Sequence, residues 1–274
     1  MLAKSRFNSL FLLSNILFFS LFSSLTSASD LAKEKRWSEQ IVDSLMVGDS
    51  VWLESGKSKF LGLFSESNLP KTKGAIIVAH GIGVHPNWPD VVQPIRSEMV
   101  EHGWATLSIQ LPILENGKTS IDYLPLFKDV NGRFAASVNY LKNKNINNII
   151  IVAHSLGTAM AGEYLAKRPD ATVRAYIAIS QPNNPDYPEL NNTKKLASIK
   201  TIPVLDLYGS QDLDDVLHFA NDRKVAGTKN NSRYSQKIIN GANHFFQSSN
   251  AELIKTIRLW LDKNAPSTEV KISK

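Results

Sequence analysis

The chain contains no cysteine among its 274 residues. That absence excludes a thiol nucleophile, any disulfide, an Fe–S cluster, a Cys-type zinc site and a thiol-linked lipid anchor. Glycine and proline are modest, at 14 and 12, which argues against collagen-like arrays, low-complexity repeats and extended disorder. Concentrated charge is also missing. The formal net charge is +6, yet no basic run exceeds a pair such as Lys194-Lys195 or Arg223-Lys224. Spacing suited to DNA or RNA is therefore absent, and no nucleic-acid partner is expected. Association with an anionic membrane surface or a cell-wall polymer stays open.

Long apolar runs are confined to the N-terminus. Lys4 and Arg6 precede an uncharged stretch from Phe7 to Ser29, densest in apolar residues between Leu10 and Phe22. Thr26-Ser27-Ala28 then sets small side chains at the two positions a signal peptidase reads. Residues 1–28 are thus expected to be an export signal cleaved after Ala28. The same stretch is long enough to span a bilayer as an uncleaved anchor, although Asn15 and the serine-rich end weaken that alternative. An exported chain without cysteine suits the bacterial periplasm or exterior.

The whole chain is 43% apolar, and the part after residue 28 is large enough to bury roughly three quarters of its unfolded surface without a staple. It alternates strand and helix. Val47-Leu53 and Lys59-Ser65 read as a hairpin. Strands are expected at 75–79, 104–109, 149–153, 173–179, 203–208 and 234–239. Helices are expected at 89–101, around Val130, Phe134, Val138 and Leu141, and at 156–167, 214–224 and after Ser249. Within the first of these, Pro94 either kinks the helix or marks its true start. Ser249-Asn250-Ala251-Glu252 has the spacing of a capping box. Continuous apolar strands such as Ile149-Ile150-Ile151-Val152 belong to a parallel sheet covered on both faces. The expectation is one doubly wound α/β domain over residues 38–263, with about eight mostly parallel strands, followed by a polar tail at 264–274.

The strongest local signal is Ala153-His154-Ser155-Leu156-Gly157, where a buried strand turns directly into a helix. A serine in such a turn presents its hydroxyl at the carboxyl edge of the sheet, and the helix start behind it offers free N–H groups, beginning with Leu156. Serine is a poor nucleophile near neutral pH and needs an imidazole base oriented by a carboxylate. The last histidine, His244, falls in the loop after the final strand. Asp212 falls just past the preceding strand, with Asp214 and Asp215 as competitors at a helix start; Asp206 lies inside that strand and reads as structural. A second oxyanion donor is expected from His80-Gly81-Ile82-Gly83, with Ile82 N–H the candidate. His80 reads as an orienting residue and His154 as packing beside the elbow. Gly81, Gly83 and Trp88 are candidates to line the substrate, Trp88 equally to anchor the following helix. His85, His102 and His218 sit on separate elements without ligand spacing, so neither a metal nor a cofactor is expected.

Two imitations fail on inspection. Gly81-Ile82-Gly83-Val84-His85-Pro86 has Pro86 where a dinucleotide fingerprint needs its third glycine. Gly56-Lys57-Ser58 lacks the first glycine of a phosphate loop and sits in a hairpin.

Together the elbow, the His-Gly loop, Gly209-x-x-Asp212 and the late His244 resemble the α/β-hydrolase superfamily over residues 38–263. The stretch 79–89, with Gly103-Trp104-Ala105-Thr106 and Gln110-Leu111-Pro112, is similar to an exported bacterial hydrolase-like family of unknown function. The superfamily resemblance implies a Ser155-Asp212-His244 triad without a cofactor; the narrower one implies no substrate. A small or medium ester or thioester is expected, including acyl material from the cell envelope. The polar loop from Gln181 to Lys200 is too short for a large lid, while Ile113, Leu114, Tyr123, Leu124, Leu126 and Phe127 either line an acyl slot or pack over the sheet edge. An acyltransferase on the same triad and a catalytically silent envelope binding or assembly factor are the alternatives.

Overall fold

The computed structural model describes residues 29–167 and 170–266. The expected signal or anchor at 1–28 and most of the expected tail lie outside the described residues. In chain order the elements are α1 (Leu31–Asp43), β1 (Asp49–Ser55), β2 (Ser58–Ser65), β3 (Gly74–Ala79), α2 (Val92–Glu98), β4 (Trp104–Ile109), α3 (Phe127–Asn143), β5 (Ile149–His154), α4 (Leu156–Ala166), β6 (Val173–Ile179), α5 (Asn192–Ser198), β7 (Val204–Gln211), α6 (Asp214–His218), α7 (Ala220–Asn230), β8 (Tyr234–Asn243) and α8 (Asn250–Asn264).

Among the described residues, eight strands form one sheet in the order β1-β2-β4-β3-β5-β6-β7-β8. The β1–β2 and β2–β4 pairs are antiparallel and all others parallel. Strand alternation divides the core in two. Ile149, Ile151 and Ala153 of β5 face a cluster with α3 and α4, built on Val130, Phe134, Val138, Leu141 and Met160. Ile150 and Val152 face the other way, against α2 and α8 through Ile95, Leu253, Ile257 and Trp260. The period of two thus supplies an apolar face to each helical layer, as a parallel sheet requires.

The structure departs from the sequence-based expectations at several elements. The expected helix at 89–101 begins only at Val92, with Pro94 in its first turn, where a missing N–H goes unmissed. It tightens into a 3₁₀ turn at Met99–His102 before Gly103 closes it at φ 89°. The expected helix at 214–224 is two, α6 and α7. The Val216 carbonyl, which a continuous helix would present to the Ala220 N–H, accepts instead from Arg223 Nη1 at 2.9 Å. The capping box does not close. Ser249 makes no side-chain cap bond, its N–H donates to the Phe246 carbonyl, and Glu252 turns to Lys255 at 3.1 Å. Helix α1 begins before the expected domain start and runs across it, and α5 occupies part of the loop after β6; α8 runs to Asn264, the first residue of the expected tail. Among the described residues no helix is long and apolar enough to cross a membrane.

Candidate active site

The carboxyl ends of β3, β5, β6 and β7 converge on Ser155. This residue sits at φ 54°, ψ −129°, an uncommon conformation for a side chain other than glycine. The strain is held from both sides. Its N–H donates to the Ile179 carbonyl at 3.0 Å, and its own carbonyl accepts from the Thr158 N–H at 2.9 Å. Small neighbours make the turn possible. Ala153 pairs with Ala79 on one side and Ala178 on the other. A Cβ on Gly157 would lie 2.3 Å from the His80 carbonyl oxygen, so no other residue fits without displacing the loop. Leu156 is the first residue of α4, and a first-turn N–H has no partner within its helix.

The sequence-predicted trio is brought together. His244 Nε2 lies 3.0 Å from Ser155 Oγ and His244 Nδ1 lies 2.6 Å from Asp212 Oδ1. All three are buried, at 8%, 7% and 5% exposure for Ser155, Asp212 and His244. Both β7 and β8 run further than expected, to Gln211 and Asn243, which pair across an irregularity after Gly209. Asp212 and His244 are therefore the next residue on each strand, side by side. Gly209 makes this approach possible, because a Cβ there would stand 2.2 Å from the Ala242 carbonyl.

Asp212 is fully engaged. Leu213 N–H donates to Oδ1 at 2.8 Å, Gly209 N–H to Oδ2 at 3.3 Å, and the Ser180 hydroxyl also donates to Oδ2. Burial pushes this carboxyl up, but the hydrogen bonds from His244 and Ser180 outweigh it and hold Asp212 below the usual carboxylate range. The competitors Asp214 and Asp215 are exposed, and His244 Nδ1 is taken by Asp212.

Two further histidines stiffen the site without touching Ser155. His154 Nε2 donates to the His244 carbonyl at 2.9 Å, and burial lowers its pKa to about 4. His80 is pushed to about 3, again chiefly by burial. Its Nε2 accepts from the Leu111 N–H at 2.9 Å, so the proton of the neutral ring stands on Nδ1 and donates to the Gly81 carbonyl at 2.8 Å. That carbonyl shares a trans peptide with the Ile82 N–H, which must point the opposite way. Ile82 and Leu156 both line the cavity that opens on Ser155.

This cavity measures about 310 Å³ and is walled by Ile82, Ser120, Leu156, Leu190, Asn192 and Asp215, among others. Gly81, Gly83 and Trp88 do not line it. Trp88 packs against the core under α2 and α8 and meets His85 edge-on, so it anchors the helix that follows. Of the loop at 112–128 only Ser120 reaches the cavity; Ile113, Leu114, Tyr123, Leu126 and Phe127 are buried in packing. Among the described residues no group of three or more His, Asp or Glu is placed to hold a metal ion.

The family model described as "Protein of unknown function (DUF3530)" matches residues 23–122 and 125–263. The chain belongs to this family. No curated protein matches it. Solved structures do. A dienelactone hydrolase from Anabaena variabilis superposes with a TM-score of 0.61 at 23% identity, covering 79% of this chain and 97% of its own. An esterase from Pyrococcus furiosus gives 0.65 at 16% identity, covering 79% and 92%. An alpha-beta serine hydrolase homologue from Coxiella burnetii gives 0.60 at 14% identity, covering 78% and 98%. At these identities the likeness shows the fold, and this DUF3530 member has the α/β-hydrolase fold.

One wall of the site escaped the sequence reading. The segment after β6 contributes Pro182, Asn183, Asn184, Leu190 and Asn192 to the cavity. Its polar residues fold it internally: Asn183 Oδ1 accepts from the Thr193 N–H at 2.9 Å, and Asn192 Nδ2 donates to the Pro182 carbonyl at 2.7 Å. The available signal was positional, since a loop leaving the carboxyl end of a central strand beside the elbow must border the site in this DUF3530 chain.

Proposed function

We propose that the protein is a serine hydrolase acting on a small or medium ester or thioester. The observation that carries this is the unbroken line from Asp212 through His244 to Ser155, at 2.6 and 3.0 Å. Ser155 Oγ attacks the substrate carbonyl carbon while His244 Nε2 takes the hydroxyl proton, and Asp212 steadies the imidazolium that forms. The oxyanion of the tetrahedral intermediate faces the N–H groups of Leu156 and Ile82. Collapse breaks the bond to the leaving alcohol or thiol, which receives the proton from His244. Water, deprotonated by the same His244, then attacks the acyl-enzyme and releases the acid and free Ser155. No cofactor enters these steps. A cavity of about 310 Å³ stands at the low end for ligand pockets, which favours a compact substrate. The hydrolases and esterases among the solved structures of like fold support the same chemistry.

An export signal at 1–28, on Lys4, Arg6, the apolar run and Thr26-Ser27-Ala28, would place this activity in the bacterial periplasm or exterior, on envelope-derived acyl compounds. The deciding experiment is labelling with a fluorophosphonate serine probe, read by intact mass. One adduct is expected on the wild type and none on Ser155→Ala, whose turnover should fall by about 10⁶-fold with folding intact. A folded wild type that takes no adduct would leave the silent binding protein as the better account. Faster product formation on adding alcohols would mark an acyltransferase.

A further inference from the structure

A chain of buried polar contacts leaves the oxyanion loop and ends on α1. His80 holds the Gly81 carbonyl and is itself held by the Leu111 N–H and by Gln110 Nε2 at 3.0 Å. The Gln110 carbonyl accepts from Arg133 Nη1 at 2.8 Å. Arg133 forks onto Glu34, Nη1 to Oε2 and Nη2 to Oε1, both at 3.0 Å. Glu34 and Arg133 are 7% and 3% exposed, and the Ser29 hydroxyl completes the shell by donating to Glu34. Helix α1 grips the same segment at two more points. Asp30 N–H donates to the Ile113 carbonyl at 2.7 Å, and Lys33 Nζ to the Leu114 carbonyl at 2.9 Å.

We propose that α1, through the Glu34–Arg133 pair, is a positioning element that sets the oxyanion loop; this rests on the serine-hydrolase reading above. Stability alone does not account for the pair. Two desolvated charges seldom gain over apolar side chains of equal volume, which are often neutral or stabilising in their place. What apolar residues cannot do is hold the Gln110 carbonyl. That carbonyl, together with the Gln110 N–H that donates to the Leu61 carbonyl at 2.8 Å, fixes residues 110–111. The Leu111 N–H makes His80 Nε2 an acceptor, and the proton so placed on Nδ1 orients the peptide that carries the Ile82 N–H. Slack anywhere in the chain reaches the oxyanion donor. Deleting such a donor costs about 10²–10³-fold in rate, and loosening one should cost about tenfold.

The test separates positioning from stability. In the full chain, Glu34→Leu with Arg133→Met replaces the pair by apolar volume, while Glu34→Gln keeps the shape and weakens the fork. Fluorophosphonate labelling over a probe concentration series gives a limiting rate and a half-saturating concentration, and needs no known substrate. The double variant should melt near wild type and label about tenfold more slowly at saturation, with the half-saturating concentration unchanged and Glu34→Gln intermediate. A folded double variant labelling at the wild-type limiting rate overturns the proposal. Should the double variant fail to fold, a wild-type rate in Glu34→Gln overturns it equally. A wild type that never labels is a different result, sinking the hydrolase reading itself.

Discussion

Strand β7 carries two buried carboxylates that meet opposite fates. Asp206 and Asp212 both have side chains with no exposure, and both are bound by residues of β8 or just after it. Asp206 Oδ2 receives Arg223 Nε, the Tyr234 hydroxyl and Gln236 Nε2, each at 2.9 Å. Asp212 receives His244, Ser180 and backbone N–H groups. The geometry is alike; the partner is not. Arginine keeps its charge at any accessible pH, so the Asp206 cluster is electrically fixed and can only hold α7 against the sheet. An imidazole can both accept and donate a proton, and His244 Nε2 faces Ser155 Oγ at 3.0 Å, so the Asp212 cluster has the geometry that the proposed proton transfer needs. A buried carboxylate becomes a candidate for catalysis through the chemistry of its neighbour rather than through its own burial.

The sharpest way to break this contrast is Asp212→Asn. The amide keeps the shape but favours the wrong His244 tautomer, and labelling should slow by about 10⁴-fold. Retention of more than a tenth of the wild-type rate would move the acid to Asp214 or Asp215. Asp206→Asn should do the reverse. It strands the Arg223 charge in the interior, at a cost of about 3–5 kcal/mol in urea unfolding, while the labelling rate per folded molecule stays at wild type. A loss of rate without a loss of stability would erase the distinction between the clusters.

How much of this was legible in the sequence follows from how local each signal is. The elbow was readable because its constraint is compressed into five residues: small side chains at Ala153 and Gly157 around a serine at a strand–helix junction. His244 and Asp212 were readable through chain order, although both strands run on further, so Asp212 follows its strand immediately. Helix α1 was not readable. Its buried positions include Lys33, Glu34 and Ser38, which look like a solvated face until Arg133 and Leu114, distant in sequence, are brought against them. The Asn183–Asn192 wall was equally hidden, because polar residues that bond their own backbone carry no periodicity. Trp88 showed the converse: a large aromatic beside the His80–Gly83 loop that packs against the core instead of lining the cavity.

The smallest effect lies in Ser180, which is to Asp212 what Tyr234 is to Asp206. Burial and the Asp206 charge push the Tyr234 hydroxyl far up, so it donates at every working pH. Ser180 likewise only donates, and its bond helps hold Asp212 below the usual carboxylate range. Ser180→Ala should leave the 2.6 Å contact with His244 in place and slow labelling by about tenfold, the lower end of what one hydrogen bond to a charged acceptor contributes. Its pH dependence has a definite sign. A carboxylate with a lowered folded pKa stabilises the protein above its unfolded value of 3.8 and loses that contribution as pH falls through the folded value. Removing the Ser180 bond raises the folded value. Wild type should therefore exceed Ser180→Ala in urea midpoint at neutral pH, and the two should converge as the pH drops below 3.8. Midpoints that differ by the same amount at every pH would mean that Ser180 supports the loop and not the charge of Asp212.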